Sequence, residues 1–304
     1  MTAGPTGAEP RLLSPGVATI AVLLAALGFS SISIATVIGT RDGTPLPAIV
    51  TGRFLISALL LYPLAGGWQG LRLPRGHVRR LIVQGGVGQA AVNLLSLSAL
   101  AYMPAATVVF LFYTYPAWVA VSSAVRGTDR VGPRRLFALL LSLGGIVVIV
   151  GAPGAGAFSA TGVAFALSGA LVYGLYFPLL RQLQAGTTPT VATFYIAIGV
   201  CLTLGVYLAA SGQLTWRPTL SSAGAMIWLA VVPTVLAFQL ILRGIAALGP
   251  VRSAIVSTAE PFCAAILGAV VLDQPVTATT MAGGALIALA VLILQRPERE
   301  RLEA

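Results

Sequence analysis

Lysine is missing altogether, for all 18 basic residues are arginine. That absence excludes the phosphate-gripping lysine of a P-loop and the Schiff-base lysine of pyridoxal chemistry. The chain also lacks any ATP-hydrolysing motif, so work done on a solute has to come from a gradient. Histidine occurs once, as His77 in RLPRGHVRR, with no serine, cysteine or metal-ligand partner at a catalytic spacing; it reads as a solvated loop residue. The two cysteines, Cys201 and Cys263, sit in apolar runs outside any CxxC or Cys/His cluster and read as small core residues. Neither a metal nor a cofactor is expected.

What is present is apolar. Hydrophobic residues make up 57% and charged residues 9%, with a mean hydropathy of +0.94, against roughly 25% charged in an average soluble domain. The chain reads as an all-α integral membrane protein whose solvent is the lipid bilayer. A net charge of +10 would suit nucleic acid, but the arginines lie in short segments between apolar runs, where orienting a membrane protein is the reading, and no nucleic-acid partner is expected. The polar stretch 1–15 precedes an apolar run too long for a signal-peptide core and without a small-residue cleavage site, so no cleavage is expected.

Ten apolar runs approach the roughly 20 residues needed to cross a bilayer of about 30 Å. They predict helices over 16–39, 47–65, 81–101, 105–125, 136–151, 162–180, 190–210, 222–242, 250–272 and 276–294. A Gly-rich uncharged linker, 152–161, separates two five-helix halves, 16–151 and 162–294, and a charged tail follows at 295–304. Arginine placement orients them. With both termini cytoplasmic, the inner segments carry Arg11, Arg72, Arg75, Arg79, Arg80, Arg126, Arg130, Arg134, Arg135, Arg181, Arg243, Arg252, Arg296, Arg299 and Arg301. The outer segments carry only Arg41 and Arg217, a strong positive-inside bias. Arg53 lies inside the second helix.

The halves also read as copies. At an offset of 146, Gly16, Val17, Ala18 and Gly28 match Gly162, Val163, Ala164 and Gly174; at 145, Pro116, Ala120 and Ala124 match Pro261, Ala265 and Ala269. Five helices per copy, an odd number, put the second copy upside down. Charge agrees: RGTDRVGPRR in the first half answers to LDQPVTATT in the second, which has no arginine. Inverted repeats of this kind underlie alternating access in many secondary transporters.

Three stretches carry a family resemblance: GRFLISALLL with Arg53, AYMPAATVVFLFYTYPAW with Pro116, and ALGPVRSAIVSTAEPFCAAILGAVVLDQPV with Glu260 and Pro261. They resemble the EamA-like branch of the drug/metabolite transporter superfamily over nearly the whole chain. The resemblance implies a ten-helix carrier and leans toward export, leaving the cargo open. The branch typically ends its ninth helix in an LGE motif; here it reads LDQ, with Asp273, and Asp129 is its first-half counterpart.

Glu260 is the first functional suspect. An acid in a membrane helix costs about 2.5–3.5 kcal/mol on insertion scales and usually faces protein or a water-filled cavity. Pro261 removes a helix hydrogen bond beside it and, with Pro116, is a candidate hinge. Two readings stand for Glu260 and Arg53: a structural ion pair, or an acid that exchanges a proton with the gradient or counters a cationic substrate group. Gln89, Asn93 and Ser96, spaced i, i+4, i+7, form one stripe that either lines a cavity or hydrogen-bonds between helices. Tyr113, Tyr115 and Trp118 approach Pro116, Tyr173 and Tyr176 share a face with Gly169, and Trp228 and Gln239 flank Pro233; each is a candidate for substrate contact, with plain packing as the alternative. Gly86, Gly88 and Ala91 spell GxGxxA but lie in a predicted membrane helix with no strand before them, so they read as packing glycines.

These observations favour a gradient-driven carrier of a small organic molecule, amino-acid-like because aromatics and amides outnumber charges, coupled to protons or to the membrane potential. An intramembrane enzyme would need a nucleophile with a base, or a metal cluster, which these residues do not supply. A non-transporting scaffold is the remaining alternative.

Overall fold

The computed structural model describes residues 13–125, 132–150, 159–213, 217–248, 256–257 and 259–295. Arg11, Arg126, Asp129, Arg130, Arg252, Arg296, Arg299 and Arg301 lie outside the described residues, as do linker positions 152–158 and the predicted helix start at 250–255. Among the described residues every regular element is helical. In chain order they are α1 Pro15–Thr40, α2 Leu46–Leu64, α3 Gly67–Gly70, α4 Arg75–Arg80, α5 Gly86–Ser98, α6 Ala105–Phe112, α7 Tyr115–Val125, α8 Pro133–Val150, α9 Ala160–Gln184, α10 Pro189–Ala210, α11 Leu220–Leu229, α12 Phe238–Leu248, α13 Glu260–Leu272 and α14 Ala278–Gln295. Two π-helical segments, Leu81–Gly85 and Ala230–Ala237, join α4 to α5 and α11 to α12.

Five of the described helices are long and apolar enough to cross a membrane: Pro15–Thr40, Leu46–Leu64, Arg75–Ala101, Pro189–Ala210 and Leu220–Ile241. Shorter apolar helices include Ala160–Tyr176, Glu260–Leu272 and Ala278–Ile293. Their outer faces carry large apolar side chains in the open, among them Leu59 at 67%, Val206 at 70% and Val270 at 75% exposure. Water would penalise such a surface heavily, whereas lipid tails solvate it.

Several boundaries depart from the sequence reading, most for backbone reasons. The predicted helix 105–125 is two helices, broken at Tyr113 and Thr114 just ahead of Pro116. The basic segment between predicted helices 47–65 and 81–101 is partly helical, because α4 runs straight into the third span. His77 there is not simply solvated: its Nε2 lies 2.7 Å from the carbonyl of Leu183 at the end of α9. Of predicted helix 250–272, the described helix begins at Glu260. It ends at Asp273, whose φ of 53° is the left-handed turn that stops a helix. Gln274 then reaches across so that its Oε1 accepts the Ala105 N–H at 2.9 Å, satisfying a free donor at the start of α6.

Close helix crossings depend on missing Cβ atoms, since inside a bilayer packing has to replace the hydrophobic effect as the force between helices. A Cβ on Gly145 of α8 would lie 2.7 Å from the Gly283 carbonyl, and one on Gly283 of α14 would lie 2.6 Å from the Gly145 carbonyl. Ile287 and Ile149 flank the same crossing in matching positions. Gly86 and Gly199 pass backbone to backbone in the same manner, uniting α5 with α10.

Gly199→Val would drive a side chain into the Ile82 carbonyl, whereas a methyl on Gly205, one turn and a half along the same helix, meets nothing within 4 Å. The first should lower stability by about 1–3 kcal/mol through overpacking; Gly205→Ala should raise it by about 0.5–1 kcal/mol. Thermal unfolding of the detergent-purified variants checks both signs.

Candidate functional site

An α-helical carbonyl is satisfied by the N–H four residues on, so a proline inside a helix strips a partner from the residue four before it. Pro233 does this to Leu229 within the π-helical segment, whereas Pro116 and Pro261 stand in the first turns of α7 and α13, where a proline costs no helical bond. Around Pro116 the Ala117 N–H turns instead to the Thr114 carbonyl at 2.9 Å, and the helix opens at Tyr113 and Thr114. The offset of 145 makes Phe112 equivalent to Ser257, Tyr115 to Glu260 and Pro116 to Pro261.

The two proline-bearing segments meet. The buried Tyr113 hydroxyl donates to Glu260 Oε2 at 2.7 Å and lies 3.2 Å from the Ser257 carbonyl. Glu260 opens α13, where the partial positive charge of a helix N-terminus favours a carboxylate. Three more rings close the site. Tyr115 and Tyr173 stand edge to face with centroids 4.7 Å apart, Phe112 stacks on Tyr173 at 5.4 Å, and Tyr113 meets Tyr115 at 6.1 Å. Tyr173 reaches them because Gly174 lets α9 press on α7: a Cβ there would lie 2.6 Å from Trp118 Cβ and 3.1 Å from the Tyr115 carbonyl.

This arrangement has two consistent hydrogen-bond states. With Glu260 ionised, Tyr113 donates to it. With Glu260 protonated, the acid donates to the phenol and the phenol turns its proton to Ser257. An aromatic wall beside a carboxylate also suits a cationic or amphipathic group.

Of the residues expected from sequence, Tyr113, Tyr115, Tyr173 and Glu260 come together here. Others are engaged elsewhere. The Tyr176 hydroxyl donates to the Gly85 carbonyl at 2.8 Å, and Gly88 lies against its ring, so this tyrosine packs α9 on the third span. Asn93 Nδ2 donates back to the Gln89 carbonyl at 2.8 Å and Ser96 Oγ to Val92 at 2.7 Å, while a Cβ on Gly169 would lie 2.8 Å from the Ser96 nitrogen. Gln239 Nε2 donates to Thr190 Oγ1 at 3.1 Å, and Trp228 Nε1 to Ser31 Oγ at 2.9 Å. Trp118 packs on Gly174, and its Nε1 is sealed from solvent with no partner among the described residues.

The ion-pair reading of Arg53 and Glu260 is corrected. Arg53 Nε donates to Thr234 Oγ1 at 2.9 Å, and Glu260 takes the Tyr113 hydroxyl, so the two charges bond to different elements. Thr234 Oγ1 in turn donates to the Leu229 carbonyl at 2.7 Å, the one that Pro233 deprives. Sequence reasoning missed Phe112, Ser257 and Thr234. The hydroxyl beside Pro233 was the signal for Thr234.

A second polar group joins the α1–α2 turn to the start of α11. Asp42 in the α1–α2 turn accepts from the hydroxyls of Ser221 at 2.6 Å, Thr44 at 2.8 Å and Thr219. These bonds, that of Ser221 foremost, hold its carboxyl well below the usual carboxylate range. Beside that turn a cavity of about 440 Å³ is lined by Thr36, Thr40, Arg41, Thr44, Ser98 and Tyr102 among others.

Comparison with known proteins is consistent with this geometry. The EamA-like transporter family matches the chain twice, at residues 16–151 and 160–296. An "Uncharacterized transporter" of Archaeoglobus fulgidus is 29% identical, with the match covering 69% of this chain and 76% of the relative. The "Uncharacterized inner membrane transporter YicL" of Salmonella typhimurium is 28% identical over 74% of this chain and 75% of its own length. A solved structure titled "Crystal structure of protein" shares the fold at a TM-score of 0.65 and 22% identity, covering 92% of this chain and 96% of that one.

Tyr113→Phe removes the hydroxyl that donates to Glu260, and should cost about 1–3 kcal/mol of thermal stability in detergent without preventing membrane insertion. For Asp42 the depressed folded value means its contribution is complete above the ordinary carboxylate value of about 3.9 and is lost as pH falls below it through the folded value. Wild-type melting temperature should therefore drop on strong acidification, and Asp42→Asn should blunt that drop; melting curves between neutral pH and the acid range decide it.

Proposed function

The chain belongs to the EamA-like transporter family, and from that premise we propose that it is a gradient-driven carrier that moves a small amino-acid-like molecule across the cytoplasmic membrane by alternating access. The observation that carries this reading is the meeting of two proline-bearing segments, one from each half, at Tyr113, Ser257 and Glu260. Broken helices at membrane depth belong where the freed backbone lines a site.

In this reading the five long spans and the five shorter apolar helices cross the membrane as two inverted repeats, 16–151 and 162–294. The reciprocal crossing of Gly145 and Gly283 supports a two-fold relation between them. Both termini face the cytoplasm, as the arginine bias favours. The inner membrane is supported by the name of the Salmonella relative, and outward movement by the family resemblance. Tyr115, Tyr173 and Phe112 form the apolar wall of the site. Glu260 exchanges a proton or a cationic substrate group, with Tyr113 as the phenol that follows it, and Pro116 and Pro261 are the points where the halves flex.

Reconstituted protein should exchange at least one labelled amino acid by counterflow across liposome walls, and Glu260→Gln should insert normally yet lose the pH dependence of that exchange. Tyr113→Phe should slow it while Tyr176→Phe, whose hydroxyl serves Gly85, should not. A panel in which nothing exchanges removes the carrier reading; unchanged pH dependence in Glu260→Gln removes the proton role alone.

A further inference from the structure

Arg53 is a buried cation, 7% exposed, carried on a helix expected to lie in the membrane. Its guanidinium is held from one side only. Nε donates to Thr234 Oγ1, which itself donates to the Leu229 carbonyl, and Cζ lies 5.1 Å from the centroid of the neighbouring Phe54 ring. These contacts orient the planar fork and leave its two Nη groups, with four N–H donors, facing no acceptor among the described residues. The acids there are Asp42, Glu260 and Asp273; Asp42 is bound to hydroxyls at the α1–α2 turn, Glu260 to Tyr113, and Asp273 closes α13.

The guanidinium is not fully sealed. Among the described residues the one side-chain nitrogen or oxygen both sealed from solvent and without a partner is Trp118 Nε1. The Nη groups of Arg53 are not sealed in that sense, so the small exposure that the residue retains includes them. A pre-oriented, desolvated guanidinium with its fork open is strongly selective for a planar anion that accepts two parallel hydrogen bonds.

We propose that Arg53 is a subsite for the carboxylate of the transported molecule, with Thr234 and the π-segment at Pro233 as the support that aims it. The carboxylate supplies the countercharge that the helices around Arg53 do not, and the bidentate geometry separates it from chloride or a neutral amide. The subsite depends on the carrier reading for the fate of the bound molecule, but binding itself is measurable without transport.

The test uses the wild-type protein in detergent and phenylglyoxal, which modifies arginine, with modification at Arg53 followed by peptide mass spectrometry. L-phenylalanine and L-leucine should slow modification of Arg53 by about tenfold, the scale of one charge-assisted contact, while L-phenylalaninamide and L-leucinamide should not. Arg53→Lys, which keeps the charge but loses the fork, should reduce thermal stabilisation by the same amino acids while the free protein still runs as a single species on gel filtration. Protection by neither amino acid, equal protection by the amides, or equal protection by sodium chloride overturns the subsite. Because no gradient is involved, intact protection alongside failed counterflow would count against the carrier reading and leave the subsite standing.

Discussion

A carbonyl in the middle of a membrane helix has no water to turn to, so a proline that deprives it of its N–H obliges the protein to find another donor. One such obligation lies at Pro233: the backbone there widens into a π-helical segment, and the Thr234 hydroxyl donates to the Leu229 carbonyl at 2.7 Å. That hydroxyl in turn accepts from Arg53 Nε at 2.9 Å. Pro261 instead stands in the first turn of α13, beside Glu260, whose Oε2 accepts from the Tyr113 hydroxyl at 2.7 Å. Each of these charges is thus held by a hydroxyl close in sequence to a proline, Glu260 by Tyr113 and Arg53 by Thr234.

That link explains what could be read from the sequence. Long apolar runs give the helices, because only a helix satisfies its own backbone in lipid, and the runs at 16–39, 47–65 and 190–210 differ from the observed helices by a few end residues. The breaks were legible as prolines at 116 and 261, but not their extent: an opening at Tyr113 and Thr114 looks, as sequence, like any apolar helix. The π-helical turns at Leu81–Gly85 and Ala230–Ala237 were not legible either, since one extra residue per turn barely disturbs an apolar pattern.

The candidate site was half legible for a related reason. Spacing says which side chains share a face but not which neighbour covers that face. Tyr173 and Tyr176 are three residues apart, yet one joins the aromatic group beside Glu260 and the other bonds Gly85. The difference lies in glycines at the helix crossings: Gly88 admits the ring of Tyr176, while Gly174 brings α9 against α7 and sets Tyr173 on Tyr115. Likewise depth alone left open whether Arg53 and Glu260 pair. Direction around the helix axis decides, and it turns Arg53 toward Thr234.

The halves are not equal at the break itself. Where the second half places Glu260 before its proline, the first places Tyr115, so the duplicated frame holds one acid and one phenol at equivalent points. Two acids there would repel across a medium of low dielectric and drive one of them neutral; two phenols would leave no group able to ionise near neutral pH. An acid faced by tyrosines avoids both outcomes, because each phenol can donate to the carboxylate or accept from the acid.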